Sequence, residues 1–472
     1  MKRFHDLQAS VWAALPSPGL FRWSAILFSL SVLSSLISLS VSEGLLAVSG
    51  LVFAIHLLRD RPRVGFPPVK LPLALFCLFS ILPVFWASNP AVGWFAVRKL
   101  LLFLIWLLAV NLIVDVRHLR WLFQGLFLTS ALAGVVAGAQ FVIQYRAVRL
   151  THPGQVYLYM TSTRVHGFMG HWMNFGGQQM LVFSALLAFL LLGPTSAAVL
   201  GTRDSGLGNR KSAEPGAGGG GRISLSRNPN SEPGMSGPES RVTGPGLRSW
   251  WLVMGIVVLS IALNFTRGVW LGCFVASVYL VARWRARWLW ALPVLMTLSF
   301  FASPSLVRHR VWLAFHPRQD PALSIRLEMW GVALRMIRAH PWLGVGPNNI
   351  EREYVLYLPR GTSPEVGYHS HFHNNFLQFG AERGLPCLAA WVWLMAALAR
   401  QFLKIRRRLV RQQTVWVADA ALAAWLALLA EGCFEFSFGT SPVLMVFLFL
   451  TAAPFVGEEV GTRRLRAEEA KR

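Results

Sequence analysis

Three histidines, His369, His371 and His373, take alternate positions in the stretch GYHSHFHNNFLQFGAERG, just ahead of an apolar run. In an extended chain all three would point one way, as a zinc face does. No cysteine accompanies them and no acid lies at a nearby ligand spacing, so no metal is expected there. Acid–base chemistry is the other reading. Asn374 and Asn375 follow His373, and asparagine is a favoured helix cap. A helix starting there turns free N–H groups and the positive end of its dipole outward, which attracts anions such as phosphate. The same field disfavours an imidazolium, so a histidine beside it stays neutral and able to accept a proton. A histidine that merely caps a span at an interface uses the same residues, and both readings stand.

Arginines supply the second chemistry, because the planar guanidinium fork matches phosphate and carboxylate. Arg267 in NFTRGVWLG lies in a turn between two apolar runs so close together that it must be tight. Arg98 in FAVRKLLLF lies inside the outer end of another run. Such residues either face a cavity or snorkel to lipid headgroups. Arg326 borders the apolar face of DPALSIRLEMWGVALRMIRAHP, a stretch with helical spacing at Leu323, Leu327, Trp330, Leu334 and Ile337, stopped by Pro341. A second polar doorway, RVHGFMGHWMNFGG, holds His166, His171 and Asn174 among glycines that allow close backbone approach. Acids within the apolar runs are sparse, mainly Glu382, Asp419 and Glu431. A proton-coupled transporter more often shows several. GVGPNN reads as a turn; no Lys-Ser/Thr follows to make a phosphate loop.

The elements that position these groups are membrane helices. The chain has 472 residues, 54% of them apolar, and a mean hydropathy of +0.48, outside the range of soluble domains. Backbone polar groups in lipid must pair internally, so the fold class is all-α, a polytopic bundle of about twelve transmembrane helices. The runs fall near 23–39, 45–58, 71–86, 94–114, 121–143, 175–192, 250–265, 268–282, 288–302, 375–398, 415–430 and 442–456. The formal charge of +24 would suggest nucleic acid in a soluble protein. Here the basic residues cluster in alternate short loops, at RDRPR, VRHLR, RWRAR and KIRRRLVR, while the other set around Glu43, ASNPAVG and EGCFEFSFGTS has none. That alternation sets both termini in the cytoplasm and excludes nucleic acid as a partner.

The organisation follows. Residues 1–192 form an N-terminal transmembrane bundle, with no removable leader expected at the start, and 193–249, rich in Gly, Ser, Pro and Arg, form a disordered cytoplasmic linker. Residues 250–302 hold helices seven to nine, 303–373 a large, partly helical outer loop, 374–457 helices ten to twelve and 458–472 a cytoplasmic tail. The cysteines Cys77, Cys273, Cys387 and Cys433 lie in or beside apolar runs and read as small buried hydrophobes.

These residues resemble a family. His371, His373, Asn374, Leu377, Glu382 and Gly384 match the His-x-His-Asn-x-x-Leu and Glu-x-Gly pattern of the bacterial O-antigen ligase and O-antigen polymerase superfamily, which includes protein O-oligosaccharyltransferases. TRGVWL is similar to its Ser/Thr-Arg-Gly element, RLEMWGVAL to its outer-loop Arg…Trp element, and GFMGHWMNFGG to the Gly-Phe-x-x-His-x-Met segment of one branch. Ala389 departs from the ligase form, and the linker is an insertion. The resemblance implies a metal-independent glycosyl transferase without cofactors, in the bacterial inner membrane. It would move a glycan from undecaprenyl diphosphate to an acceptor hydroxyl, that of lipid A-core oligosaccharide or another glycan, on the periplasmic face. It implies His373, Arg267 and Arg326 as catalytic, with Arg98, His371, Asn374 and His171 binding substrate. The alternatives are a polymerase of repeat units, a protein O-oligosaccharyltransferase and, in another class, a membrane transporter.

Overall fold

The computed structural model describes residues 19–193, 247–316, 319–359, 361, 370–409 and 414–469. Residues 1–18, nearly all of the linker, His369 and the end of the tail lie outside the described residues. Every regular element among the described residues is helical. We number the principal helices α1 (Leu20–Ser34), α2 (Leu39–Asp60), α3 (Lys70–Ile81), α4 (Pro90–Leu112), α5 (Val116–Thr151), α6 (Trp172–Leu192), α7 (Leu247–Leu263), α8 (Arg267–Arg285), α9 (Ala291–Ala302), α10 (Ser305–Phe315), α11 (Pro321–Ala339), α12 (Asn375–Arg408), α13 (Val415–Glu431) and α14 (Ser441–Glu469).

Each expected apolar run falls on one of these helices. Among the described residues seven helices, α2, α4, α5, α6, α8, α12 and α14, are long and apolar enough by themselves to cross a bilayer. The other apolar helices are shorter. Helix α9 has 12 residues and reaches only about 18 Å, against a hydrocarbon core of about 30 Å. Conversely, α5 runs for 36 residues and carries into the stretch QYRAVRLT expected as loop; Asp115 caps its start by accepting the Arg117 N–H at 2.8 Å.

Helices α6, α13 and α14 form the buried centre, with α8, α11 and α12 bearing the polar groups on or beside it. Lipid offers no hydrophobic drive between helices, so close approach and polar pairing hold them. Gly272 on α8 lies where a Cβ would stand 2.1 Å from the Met180 sulfur and 2.9 Å from the Ala427 carbonyl. Only glycine admits α6 and α13 that closely. Gln178 on α6 donates to the carbonyls of Ser35 and Pro442, and Trp106 on α4 donates to Thr451 on α14.

Helix α11 stops at Ala339, ahead of Pro341 as expected. Its buried face is not the expected stripe. Met329, Val332, Ala333 and Met336 are buried, against Ile350, Tyr354, Phe372 and Ala381, while Leu327 and Leu334 are exposed. The helix carries two adjacent apolar stripes, and docking on α12 selects the one that can meet Phe372 and Ala381.

Candidate active site

Four separated stretches of chain, together with Arg267 at the start of α8, build the site. The first is the start of α12. Asn374 is its N-cap, its Oδ1 accepting the N–H groups of Phe376 at 2.9 Å and Leu377 at 3.0 Å. The residue before it, His373, has φ of 48°, a left-handed conformation that costs a non-glycine residue about 1 kcal/mol or more. Neighbouring bonds hold the turn: Phe372 N–H donates to Gln378 Oε1 at 2.9 Å, Trp330 Nε1 to the Phe372 carbonyl at 3.0 Å, and Asn374 Nδ2 to the Cys433 carbonyl at 2.8 Å.

The turn sets the His373 imidazole on the second stretch, the turn between α13 and α14. His373 Nδ1 donates to Glu435 Oε2 at 2.8 Å, and Arg326 Nη2 donates to the other oxygen, Oε1, at 2.5 Å. Glu435 is 1% exposed, so one buried carboxylate joins histidine and guanidinium. The turn is fixed from both sides. The Asn375 N–H donates to the Gly432 carbonyl at 2.7 Å, and a Cβ at Gly432 would stand 2.2 Å from Asn375 Nδ2.

Helix α11 is the third stretch. Arg326 and Trp330, one turn apart, face Glu435 and the Phe372 carbonyl. Asp320, just before the helix, is bonded to Arg267 Nη2 at the start of α8. Gly268, next to Arg267, packs on the acidic turn: a Cβ there would stand 3.5 and 3.6 Å from the Cγ atoms of Glu431 and Glu435. The fourth stretch, 163–171, enters α6. Asn264 Nδ2 donates to the carbonyls of Val165 and Trp172, both at 3.0 Å, tying this stretch to the turn that carries Arg267. Arg164 lies over the Trp172 ring at 3.9 Å, and His171 caps α6, its Nδ1 accepting the Met173 N–H at 3.2 Å.

The electrostatics show how close these groups come. Burial and Arg310 push Arg164 down to about 9; Arg326 and Arg267 act the same way and Glu435 opposes them. Four guanidinium groups, those of Arg164, Arg267, Arg310 and Arg326, therefore share one region with two carboxylates, Asp320 and Glu435. Two positive charges are left over. Among the described residues Arg326 Nε has no acceptor and Asp320 Oδ1 no donor. Burial alone would raise Glu435, but Arg326 and His373 outweigh it and hold the carboxyl below its usual range. His371, its ring centroid 4.4 Å from that of His373, is pushed down to about 4 by burial and then by His373. His171 is lowered too, by burial first and with His373 contributing.

His373, Arg326, Arg267, Asn374, His371 and His171 thus come together. Arg98 does not touch them. It stacks on Phe95 at 3.5 Å and lines a separate cavity of about 170 Å³ with Glu43 and Lys99. Glu382 and Gly384 serve the fold. Glu382 accepts from Asn348 N–H and Gln378 Nε2. Gly384, at φ 85°, lets Trp342 approach to where a Cβ would be 2.2 Å from its carbonyl oxygen. Reading the sequence missed Glu435, Asp320, Arg164 and Arg310 as site groups. The stretch EGCFEFSFG stands out in sequence only for its lack of Lys and Arg; two acids, Glu431 and Glu435, flanking Gly432 on a turn beside α12 were the usable signal.

The fold and the site define a multi-pass, all-helical membrane protein with a histidine–carboxylate–guanidinium junction at the helix ends. Residues 252–392 match the family model described as O-Antigen ligase, and the match supports the O-antigen ligase superfamily. The matched segment holds Arg267, Arg310, Asp320, Arg326, His371, His373 and Asn374, while Arg164, His171 and Glu435 reach the site from outside it. No curated protein matches the chain.

Proposed function

We propose that the protein is a ligase-type glycosyl transferase that moves a glycan from a lipid diphosphate, undecaprenyl diphosphate, to an acceptor hydroxyl on the periplasmic face of the inner membrane, with both chain termini cytoplasmic. The observation that carries this reading is the single buried carboxylate, Glu435, bonded to both His373 Nδ1 and Arg326. With Nδ1–H committed to Glu435, Nε2 is the ring nitrogen left to accept a proton. It is poised to take the proton of an acceptor hydroxyl, and Glu435 stabilises the imidazolium that results. The new bond joins the acceptor oxygen to the anomeric carbon. The bond from that carbon to the diphosphate oxygen breaks, and the electron pair leaves with the diphosphate. Its charge develops among the guanidinium groups, whose excess of two positive charges over Asp320 and Glu435 matches a doubly anionic diphosphate. Asn374 and the start of α12 fix His373, and His371 and His171, both neutral, border the acceptor's approach. Arg98 would act only at a distance, through the cavity it lines.

Direct displacement inverts the anomeric centre; a product with retained configuration would exclude it. The acceptor we favour is lipid A-core oligosaccharide, with polymerisation of repeat units or transfer to protein as the other transferase readings. Purified protein in nanodiscs, given undecaprenyl diphosphate-linked oligosaccharide and candidate acceptors, tests all of them. The expected result is release of undecaprenyl diphosphate together with a mass gain on one acceptor. Movement of intact donor across a sealed vesicle without bond cleavage would instead mark a transporter and overturn the proposal.

A further inference from the structure

A cavity of about 790 Å³ lies along α12 and α13 and runs away from the chemistry just described. Its α12 wall is one stripe at helical spacing: Trp391, Met395, Ala399 and Leu403, continuing into the basic residues Arg400, Lys404 and Arg407. Trp425 and Leu429 of α13 form the other side. Phe376 and Trp391, edge to face at 5.2 Å, close the end nearest Asn374. The break at Gly384 folds α12 back so that Phe376 meets Trp391; measured along α13, from Gly432 bonded to Asn375 to Asp419 bonded to Arg406, the basic end lies roughly 20 Å from the start of α12.

The basic residues of this region fall into two groups. Those turned toward other helices have acid partners: Arg406 and Arg283 meet Asp419 at 3.5 and 3.3 Å, and Arg408 meets Glu458 at 2.6 Å. The three that line the cavity, Arg400, Lys404 and Arg407, have no acid partner among the described residues. An apolar groove that ends in three cations without an acid partner among the described residues is complementary to an anionic lipid.

We propose that this groove binds one anionic phospholipid of the leaflet at the C-terminal end of α12, its acyl chains along Met395, Ala399 and Leu403 and its phosphate at Arg400, Lys404 and Arg407. The glycan donor does not account for these cations. A diphosphate held at Arg267 and Arg326 lies at the other end of α13, roughly 20 Å away, and a polyprenyl tail carries no charge for them to meet. The site is therefore separate from the transfer reaction, and its test is independent of it.

The full chain, stripped of lipid in detergent, is titrated with phosphatidylglycerol and separately with phosphatidylcholine, and bound lipid is counted by native mass spectrometry. Wild type should retain one phosphatidylglycerol and no phosphatidylcholine. The triple substitution Arg400→Gln, Lys404→Gln, Arg407→Gln should weaken retention about a hundredfold, each headgroup contact being worth about fivefold. The charge-keeping set Arg400→Lys, Lys404→Arg, Arg407→Lys should retain the lipid. Ala399→Trp fills the groove with every cation in place and should also lose it, so a triple variant that misinserts leaves the test decided. Equal binding of phosphatidylcholine, unchanged retention in the triple and Ala399→Trp variants, undecaprenyl phosphate displacing phosphatidylglycerol, or a second copy of the chain covering this face would each overturn the proposal.

Discussion

Replacing Glu435 by Gln separates chemistry from architecture at this site. The substitution keeps the side chain's volume and removes its charge. The turn itself is held by backbone bonds, Glu435 N–H to the Glu431 carbonyl at 3.0 Å and Asn375 N–H to the Gly432 carbonyl at 2.7 Å, so the fold should survive. What is lost is the stabilisation of an imidazolium formed at His373. With charge centres about 4 Å apart and an effective dielectric of about 20, that interaction is worth about 4 kcal/mol, or about a thousandfold in rate. Arg326 loses an acid partner at the same time, which leaves its guanidinium freer for the donor. Hence kcat should fall about a thousandfold while KM for the lipid-linked donor stays level or falls. Single-turnover transfer measured with defined donor and acceptor, alongside thermal melting of the same preparations, gives both numbers. A variant within about tenfold of wild-type kcat would refute the imidazolium argument, and an unchanged kcat with a raised KM would make Glu435 a donor-binding group instead.

Arg267→Lys keeps the charge but loses the planar fork, and should cost at least about a hundredfold in kcat/KM, whereas Arg98→Ala, stacked on Phe95 away from the cluster, should cost less than about tenfold in the same assay. Gly384→Ala puts a Cβ at φ 85° and 2.2 Å from the Trp342 carbonyl; a loss of folded protein of several-fold or more is expected by size-exclusion yield, on a destabilisation of about 3 kcal/mol. Stability should fall as the solution is acidified. His371 is held down to about 4 against about 6.5 when unfolded, so the unfolded state gains the proton first and stability drops as pH falls from about 6.5 toward 4. Glu435, held below its usual range, adds a further loss as pH falls below about 4.5. The melting temperature of His371→Gln should vary less with pH across the first window, and equal slopes in the two proteins would refute that origin.

Apolar runs, basic loops and the His373-Asn374 cap were legible because each is a local property of the chain. Arg267 and Arg326 were legible because charges beside apolar faces need a reason to be there. Glu435 and Asp320 were not, because their meaning lies in partners far along the chain: Glu435 is 62 residues from His373 and 109 from Arg326, and Asp320 is 53 from Arg267. A buried carboxylate on a polar turn looks like a solvated one until the fold supplies its cations. The buried face of α11 failed for a related reason. Periodicity shows that a helix has an apolar side, but where two stripes adjoin, the partner helix decides which is used.

That partner relation also explains the spacing of the motifs. Trp330 meets Phe372, Ile337 lies where a Cβ on Gly380 would be 2.9 Å from its Cδ1, and Trp342 meets Gly384. Going down the pairs, the numbers rise together on both stretches, so α11 and the segment of α12 before the break at Gly384 run parallel and in register. The third contact is sealed by backbone bonds across the break at Gly384: Val345 N–H to the Ala381 carbonyl, Gly346 N–H to that of Glu382, and Leu385 N–H to that of Pro341. Glu382 secures the same joint through the Asn348 N–H at 2.8 Å. An Arg…Trp pair on one helix and His-Asn…Glu-x-Gly on the other are therefore two edges of one clamp. The glycine end fixes the register, and the register delivers Arg326 and His373 to opposite oxygens of Glu435. A residue far from the chemistry is needed because parallel helices slide, and a slip of one residue, about 1.5 Å and 100°, would carry Arg326 off the carboxylate it shares.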